Sequence, residues 1–245
     1  MSRRFATCVR PCHYLYISQR WLLMFWEKIM YSDVFKGIGK KISFPANCEL
    51  PIGNDVAYLE RGICGVATVT QEGNDRTYLY FKSGNLMGFL RHILPVDTFA
   101  ASHIHKTRNR VVTKTKVDCY IIKKEDFFGI LETNPAYYQV LTIALAQNLS
   151  NVMEHSAWLA CENGPIRICS MLLEFSELAG GIYLLPRCFT QAEMAHFLSL
   201  HKITVAKILK SLREANFIRK DGQLIRIMDR EALIKIVNRE LCIRY

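Results

Sequence analysis

The sequence predicts an α+β chain in three parts: an N-terminal antiparallel β jelly roll, one long helix and a C-terminal winged helix-turn-helix. Three features carry that expectation. Short β-rich runs broken by Gly, Asn and Asp fill Lys41 to about Tyr120. Ala136 to Ala160 contains neither Gly nor Pro. After Gly180-Gly181 two amphipathic helical patterns are followed by a hairpin pattern. With 245 residues, 50% of them hydrophobic, the chain is long enough for well-filled cores.

The elements follow in order. Residues 1–30 form an N-terminal arm, read either as disordered or as lying upstream of a true start at Met24 or Met30; the apolar run Trp21 to Trp26 is too short for a signal core or a membrane span. Residues 31–133 form a β-barrel domain. Val66, Thr68 and Thr70 alternate with their neighbours, Glu72-Gly73-Asn74-Asp75 tolerates the positive φ of a tight turn, and Tyr78 and Tyr80 resume the alternation, which makes a hairpin. Further strands are expected at Leu86 to Phe89 and from Val111 to Ile122, for roughly eight in all. Asp126 to Leu131 is a short helix, and Asn134-Pro135 opens the long helix of residues 134–162. There Tyr138, Leu145, Val152 and Leu159 recur every seventh residue, with Leu141 and Leu149 in the same stripe, the pattern that seals two helices into a homodimer. The same stripe also suits packing on the chain's own barrel, along different turns. Asn148 and His155 fall near this seam, where polar groups fix register.

Residues 163–245 make the winged-helix domain. Asn163 caps a helix expected over Ile166 to Ala179, and Ile182 to Leu185 is read as an edge strand. Thr190 caps a helix from Gln191 to Phe197, with Glu193 placed for a capping box. After the turn at Ser199-Leu200, Lys202 to Ala215 points Val205, Ile208, Leu209 and Leu212 inward and leaves Lys202, Thr204, Lys207 and Lys210 outward. Phe217 to Lys220, Asp221-Gly222 and Leu224 to Ile227 form the wing.

Charge agrees with this division. Residues 186–245 hold twelve Lys or Arg against six Asp or Glu, residues 1–30 hold five against one, and the middle balances at fifteen of each. A basic excess confined to the end that carries a helix-turn-helix implies an anionic partner, double-stranded DNA. Lys202 and Lys207 sit where the second helix reaches base edges, with Ile203 and Thr204 on the same DNA-facing turn. Arg219, Lys220 and Arg226 suit phosphate contact, and Thr190, Gln191 and Lys210 complete the DNA-facing set. The alternative is a winged helix that binds protein. No phosphate-cradling Gly-rich loop, nucleophile elbow or zinc-spaced Cys/His set supports an enzyme. Nine scattered cysteines suit free thiols in a reducing cytoplasm, and most are expected to be small buried hydrophobes.

Over residues 30 to 230 the chain resembles the Crp/Fnr transcription regulators. The residues that carry the likeness are Tyr80-Phe-Lys-Ser-Gly84-Asn-Leu-Met-Gly88, Asn134-Pro135, Phe189-Thr-Gln-Ala-Glu-Met-Ala195 and Thr204-Val-Ala-Lys-Ile-Leu-Lys210. The resemblance implies a cyclic-nucleotide-binding-like jelly roll, a homodimer on an inverted-repeat operator and RNA polymerase as a partner. It also implies an effector pocket at Gly88, Phe89, Leu90, Arg108, Asn109, Val152 and Met153. Nucleotide-binding members carry Gly-Glu and Arg-Ser pairs where this chain has Gly88-Phe89 and Arg108-Asn109, and hydroxyls where it has Val152-Met153. Unpaired polar groups of a buried nucleotide cost roughly 1 to 3 kcal/mol each, which disfavours cyclic AMP; Arg108 remains able to hold an anion. Ile203 replaces the family's usual glutamate, so a contact to cytosine gives way to a thymine methyl or none.

The effector stays open among a hydrophobic molecule, haem held at His92, His103 or His105, and a thiol switch. No cofactor is required. An iron-sulfur cluster is not expected, because Cys8, Cys12 and Cys48 lack the close spacing of its thiolates.

Overall fold

The computed structural model describes residues 32–69, 75–93, 109–133 and 136–245. Helical residues 32–38 (α1) lead into β1 (Lys40–Phe44), β2 (Val56–Arg61), β3 (Cys64–Val69), β4 (Asp75–Phe81), β5 (Leu86–Met87), the short helix α2 (Leu90–Ile93), β6 (Asn109–Thr113) and β7 (Val117–Ile122). Two antiparallel sheets result, ordered β1-β7-β2-β5 and β4-β3-β6. Among the described residues they form a jelly-roll-like pair and do not close into one barrel.

Strand β2 is buried on both faces, and its alternation serves two cores. Val56 and Tyr58 join Phe35, Phe89 and Phe127, while Ala57 and Leu59 join Leu50, Phe81 and Val117. Three expectations shift. The strand at Leu86 to Phe89 stops at Met87, because Gly88 turns the chain at φ +88° and a Cβ there would lie 2.6 Å from the Asp55 carbonyl. Val111 to Ile122 is two strands of different sheets, β6 and β7. In the β3–β4 hairpin Val66 pairs with Leu79 but Ala67 with Thr77, so Tyr78 is an extra residue and the Tyr78–Tyr80 alternation is broken by a bulge.

Helix α3 (Lys124–Thr133) precedes the long helix α4 (Ala136–Cys161). Val140 and Leu141 of α4 are buried in the Phe35–Phe127 core, with Ala144 and Leu145 packed against it. Tyr138, Leu149, Val152 and Met153 are exposed, Leu149 at 61% and Met153 at 62%. The heptad stripe is therefore shared: Leu141 and Leu145 face the jelly roll, and an apolar strip further along stays bare.

Asn163 accepts a hydrogen bond from the Ile166 amide at 3.1 Å and starts α5 (Gly164–Phe175), with Pro165 in the first turn. The helix expected to reach Ala179 ends at Phe175. Ser176 is extended, and β8 (Glu177–Ala179) pairs with β9 (Ile182–Leu185) across Gly180-Gly181, both at positive φ. Strand β9 is consequently not an edge; the sheet runs β10-β11-β9-β8. Between β9 and β10 lie α6 (Gln191–Phe197) and α7 (Lys202–Glu214). Strands β10 (Ile218–Asp221) and β11 (Leu224–Ile227) make the wing, and α8 (Arg230–Val237) closes the domain with Asp229 as its cap.

The C-terminal domain is seated on the jelly roll. Ile63 and Tyr80 belong to its hydrophobic cluster, together with Phe175, Phe189, Phe197, Leu209 and Leu212.

Candidate nucleic-acid interface

The helix-turn-helix is built from local signals. Thr190 Oγ1 accepts from the Glu193 amide at 3.2 Å and starts α6. Leu198 ends it, and Ser199 takes φ +52°, which turns the chain into α7. Val205, Ile208, Leu209 and Leu212 are buried, and this inward face fixes the outward one. Lys202, Ile203, Lys207 and Lys210 are exposed and Thr204 is half-buried. Ile203 is 71% exposed, an apolar side chain left outside the core formed by the described residues. Thr190 is exposed and Gln191 half-buried at the start of α6.

On the wing, Arg219 and Lys220 are exposed and Gly222 turns the hairpin at φ +61°. Asp221 holds both wing arginines, Arg226 at 2.6 Å and Arg219 at 3.4 Å. The wing arginines thus arrive partly neutralised, whereas Lys202 and Lys207 of α7 have no carboxylate within ion-pair distance among the described residues. The cationic emphasis lies on the first two turns of α7.

Four residues, Glu193, Tyr80, Lys82 and Arg167, organise this surface through contacts that the sequence does not signal. Glu193, expected in a capping box, turns to the jelly roll instead: Tyr80 Oη donates to its carboxylate at 2.5 Å and Lys114 Nζ at 2.6 Å. Burial pushes the Glu193 carboxyl up, but the hydrogen bonds from Lys114 and Tyr80 outweigh it and leave its pKa below the ordinary value. Tyr80 is 4% exposed and inserts its ring edge-on among Phe175, Phe189 and Phe197. Lys82 pairs with Glu174 beside them. Arg167 is the fourth. It donates to the carbonyls of Glu162 (2.8 Å), Leu159 (2.9 Å) and Leu198 (3.0 Å), joining the end of α4 to the turn of the helix-turn-helix.

His155, expected near the dimer seam, lies flat on Phe197 with ring centres 4.0 Å apart, and its Nε2 donates to the Phe197 carbonyl at 2.9 Å. Burial holds its pKa below the ordinary histidine value against the opposing pull of the Phe197 and Tyr78 carbonyls. Three of these four residues, and His155, find partners more than forty positions away in sequence, which no local periodicity encodes.

The expected effector residues fall in different settings. Phe89 is buried in the core, Gly88 is half-buried, and Leu90, Val152 and Met153 are exposed. Asn109 begins β6, and Arg108 lies outside the described residues. So do Asn134-Pro135, residues 1–30, the turn residues Glu72 to Asn74, His103, His105, Cys8 and Cys12.

Residues 166–236 match the family described as Crp-like helix-turn-helix domain. No curated protein matches the chain. Among solved structures, FixK2 from Bradyrhizobium japonicum has a TM-score of 0.64 at 15% identity, covering 81% of this chain and 96% of its own. A CRP/FNR-family transcriptional regulator from Thermus thermophilus has a TM-score of 0.62 at 18% identity, covering 81% of this chain and 98% of its own. The c-di-GMP-responsive global regulator CLP of Xanthomonas campestris has a TM-score of 0.59 at 16% identity, covering 79% and 95%. At such identities the likeness is one of fold.

Proposed function

We propose that this chain, which sets a Crp-like helix-turn-helix domain on the fold of the Crp/Fnr regulators, is a transcription regulator that reads duplex DNA as a homodimer. The observation that carries the reading is the division of α7. Its apolar face is consumed by the domain core, and its basic face is left bare with Lys202, Ile203 and Lys207 at the end that enters a major groove in this motif. Thr190, Gln191, Lys210, Arg219 and Lys220 flank that end as phosphate contacts. Homodimerisation is supported by the bare strip Tyr138, Leu149, Val152 and Met153 on α4. Two copies joined there present two reading helices to an inverted repeat with half-site centres about 34 Å apart.

The effector remains unidentified and is not cyclic AMP on this reading, since Phe89 and Met153 offer no polar partner to a ribose or a purine. The pocket assigned to it is Gly88, Phe89, Leu90, Arg108, Asn109, Val152 and Met153. RNA polymerase is the expected protein partner. The setting is the cytoplasm, where DNA and reduced thiols coexist; among the described residues no helix is long and apolar enough to cross a membrane.

Titrating salt tests the reading. Binding to duplex DNA should weaken linearly on a log-log plot, with a slope of about −0.9 for each phosphate neutralised. A protein-binding winged helix predicts no salt-sensitive attraction to the duplex, and that result would overturn the proposal.

A further inference from the structure

Cys161 and Cys242 are the exposed cysteines among the seven described ones, and both line one cavity of about 280 Å³ at the junction of α4 with the C-terminal domain. Its other walls include Glu162, Pro165, Arg239 and Leu241. The chain after α8 is brought there by a built turn. Arg239 adopts φ +63°, a conformation ordinary side chains avoid, and the amides of Glu240 and Leu241 both donate to the Lys235 carbonyl, at 2.8 and 3.1 Å. The Arg239 guanidinium then grips the Glu162 carboxylate at 3.0 Å, next to Cys161. Leu241 and Ile243 pack on the domain core, which leaves Cys242 between them facing outward.

Both thiols are exposed, and Cys161 lies about 80° round α4 from Met153 and about 120° from Leu149, off the bare strip. The other described thiols are poorer nucleophiles. Burial pushes Cys64, Cys169 and Cys188 up to about 12 and Cys119 up to about 11, and Cys48 is half-buried.

We propose that Cys161 and Cys242 are a dithiol oxidised by a hydroperoxide to a disulfide that locks the short hinge at Glu162-Asn163, between the long helix and the C-terminal domain. The sulfur of one thiolate attacks a peroxide oxygen, the O–O bond breaks, and a sulfenic acid and water (or an alcohol) are formed. The second sulfur attacks the sulfenic sulfur, the S–O bond breaks, and a further water leaves. Two thiols lose two electrons in all, and one hydroperoxide gains them. Residues 242–245 lie outside helix and strand, so no helix or ladder hydrogen bond has to break for Cys242 to make the close Cβ approach that a disulfide requires. The bond would tie the chain end to α4 across Glu162 and Asn163. This inference is independent of DNA reading.

The test uses the full chain, reduced and then treated with hydrogen peroxide at stoichiometric ratio. Thiols are blocked and peptides are mapped by mass spectrometry without reductant. The expected product is a single intrachain link joining the Cys161 and Cys242 peptides, two hydrogens lighter than their sum and reversed by reductant. Cys161→Ser and Cys242→Ser should each abolish it, and exchange of the hinge amides of Glu162, Asn163, Gly164 and Ile166 should slow several-fold in the oxidised protein but not in oxidised Cys242→Ser. A link to any other cysteine, a link between two copies, separate sulfinic acids on both residues, or a link without slower hinge exchange would each overturn the proposal.

Discussion

Glu193 and His155 show how single side chains tie the reading domain to the rest of the protein. A carboxylate in the first turn of α6 would ordinarily serve its own helix, yet here Tyr80 and Lys114 of the jelly roll claim it. His155 closes the same cluster from α4 by stacking on Phe197. Because burial lowers the His155 pKa, the folded state favours the neutral ring. Its contribution is fully present above the unfolded value of about 6.5 and is lost as pH falls through the lower folded value. Thermal unfolding of the chain should therefore show a loss of stability on acidification below about pH 6.5 that His155→Phe reduces, since phenylalanine keeps the stacking and cannot titrate. An identical acid slope in both proteins would remove His155 from this role. On the reading helix, replacing Lys202 and Lys207 together by Ala should flatten sequence preference, each lost base contact costing about 1 to 3 kcal/mol of discrimination. Competition binding against scrambled duplexes measures it, and an unchanged preference would mean that another surface reads the bases.

At the scale of elements, legibility followed the range of the interactions involved. The α6–turn–α7–wing segment was readable almost residue by residue, because caps, a helical apolar period and a Gly turn are local signals. Strand β8 was not. Glu177–Ala179 has a composition a helix accepts, and only its pairing with β9 makes it a strand. The Tyr78 bulge was equally hidden, since alternation looks intact until the partner register is known. The long helix was half readable: its apolar stripe was plain, but which turns serve the chain's own core and which stay bare depended on where the jelly roll sits. That division makes a prediction. Leu149→Asp with Met153→Glu places charge on the bare strip, without touching Val140 or Leu141 in the core. The variant should be a folded monomer by light scattering, whereas a dimer of unchanged strength would locate the interface elsewhere.

For the whole molecule, the central feature is that one domain's core is completed by another's side chains. Ile63 and Tyr80 of the jelly roll fill the cluster from which α7 projects, and Arg167 fastens the end of α4 to the turn before α7. The jelly roll, the end of α4 and α7 are thus joined by packed contacts and hydrogen bonds, while the basic face of α7 stays outside. None of this coupling was visible in the sequence, where Lys114 and Glu193 stand 79 residues apart. The most direct test of the account is selection from a random duplex pool with the full-length protein. Enriched sequences should converge on an inverted repeat whose half-site centres lie about one helical turn, roughly 34 Å, apart. Failure to enrich any sequence, or convergence on a single unrepeated site, would contradict a symmetric dimer that reads DNA through α7.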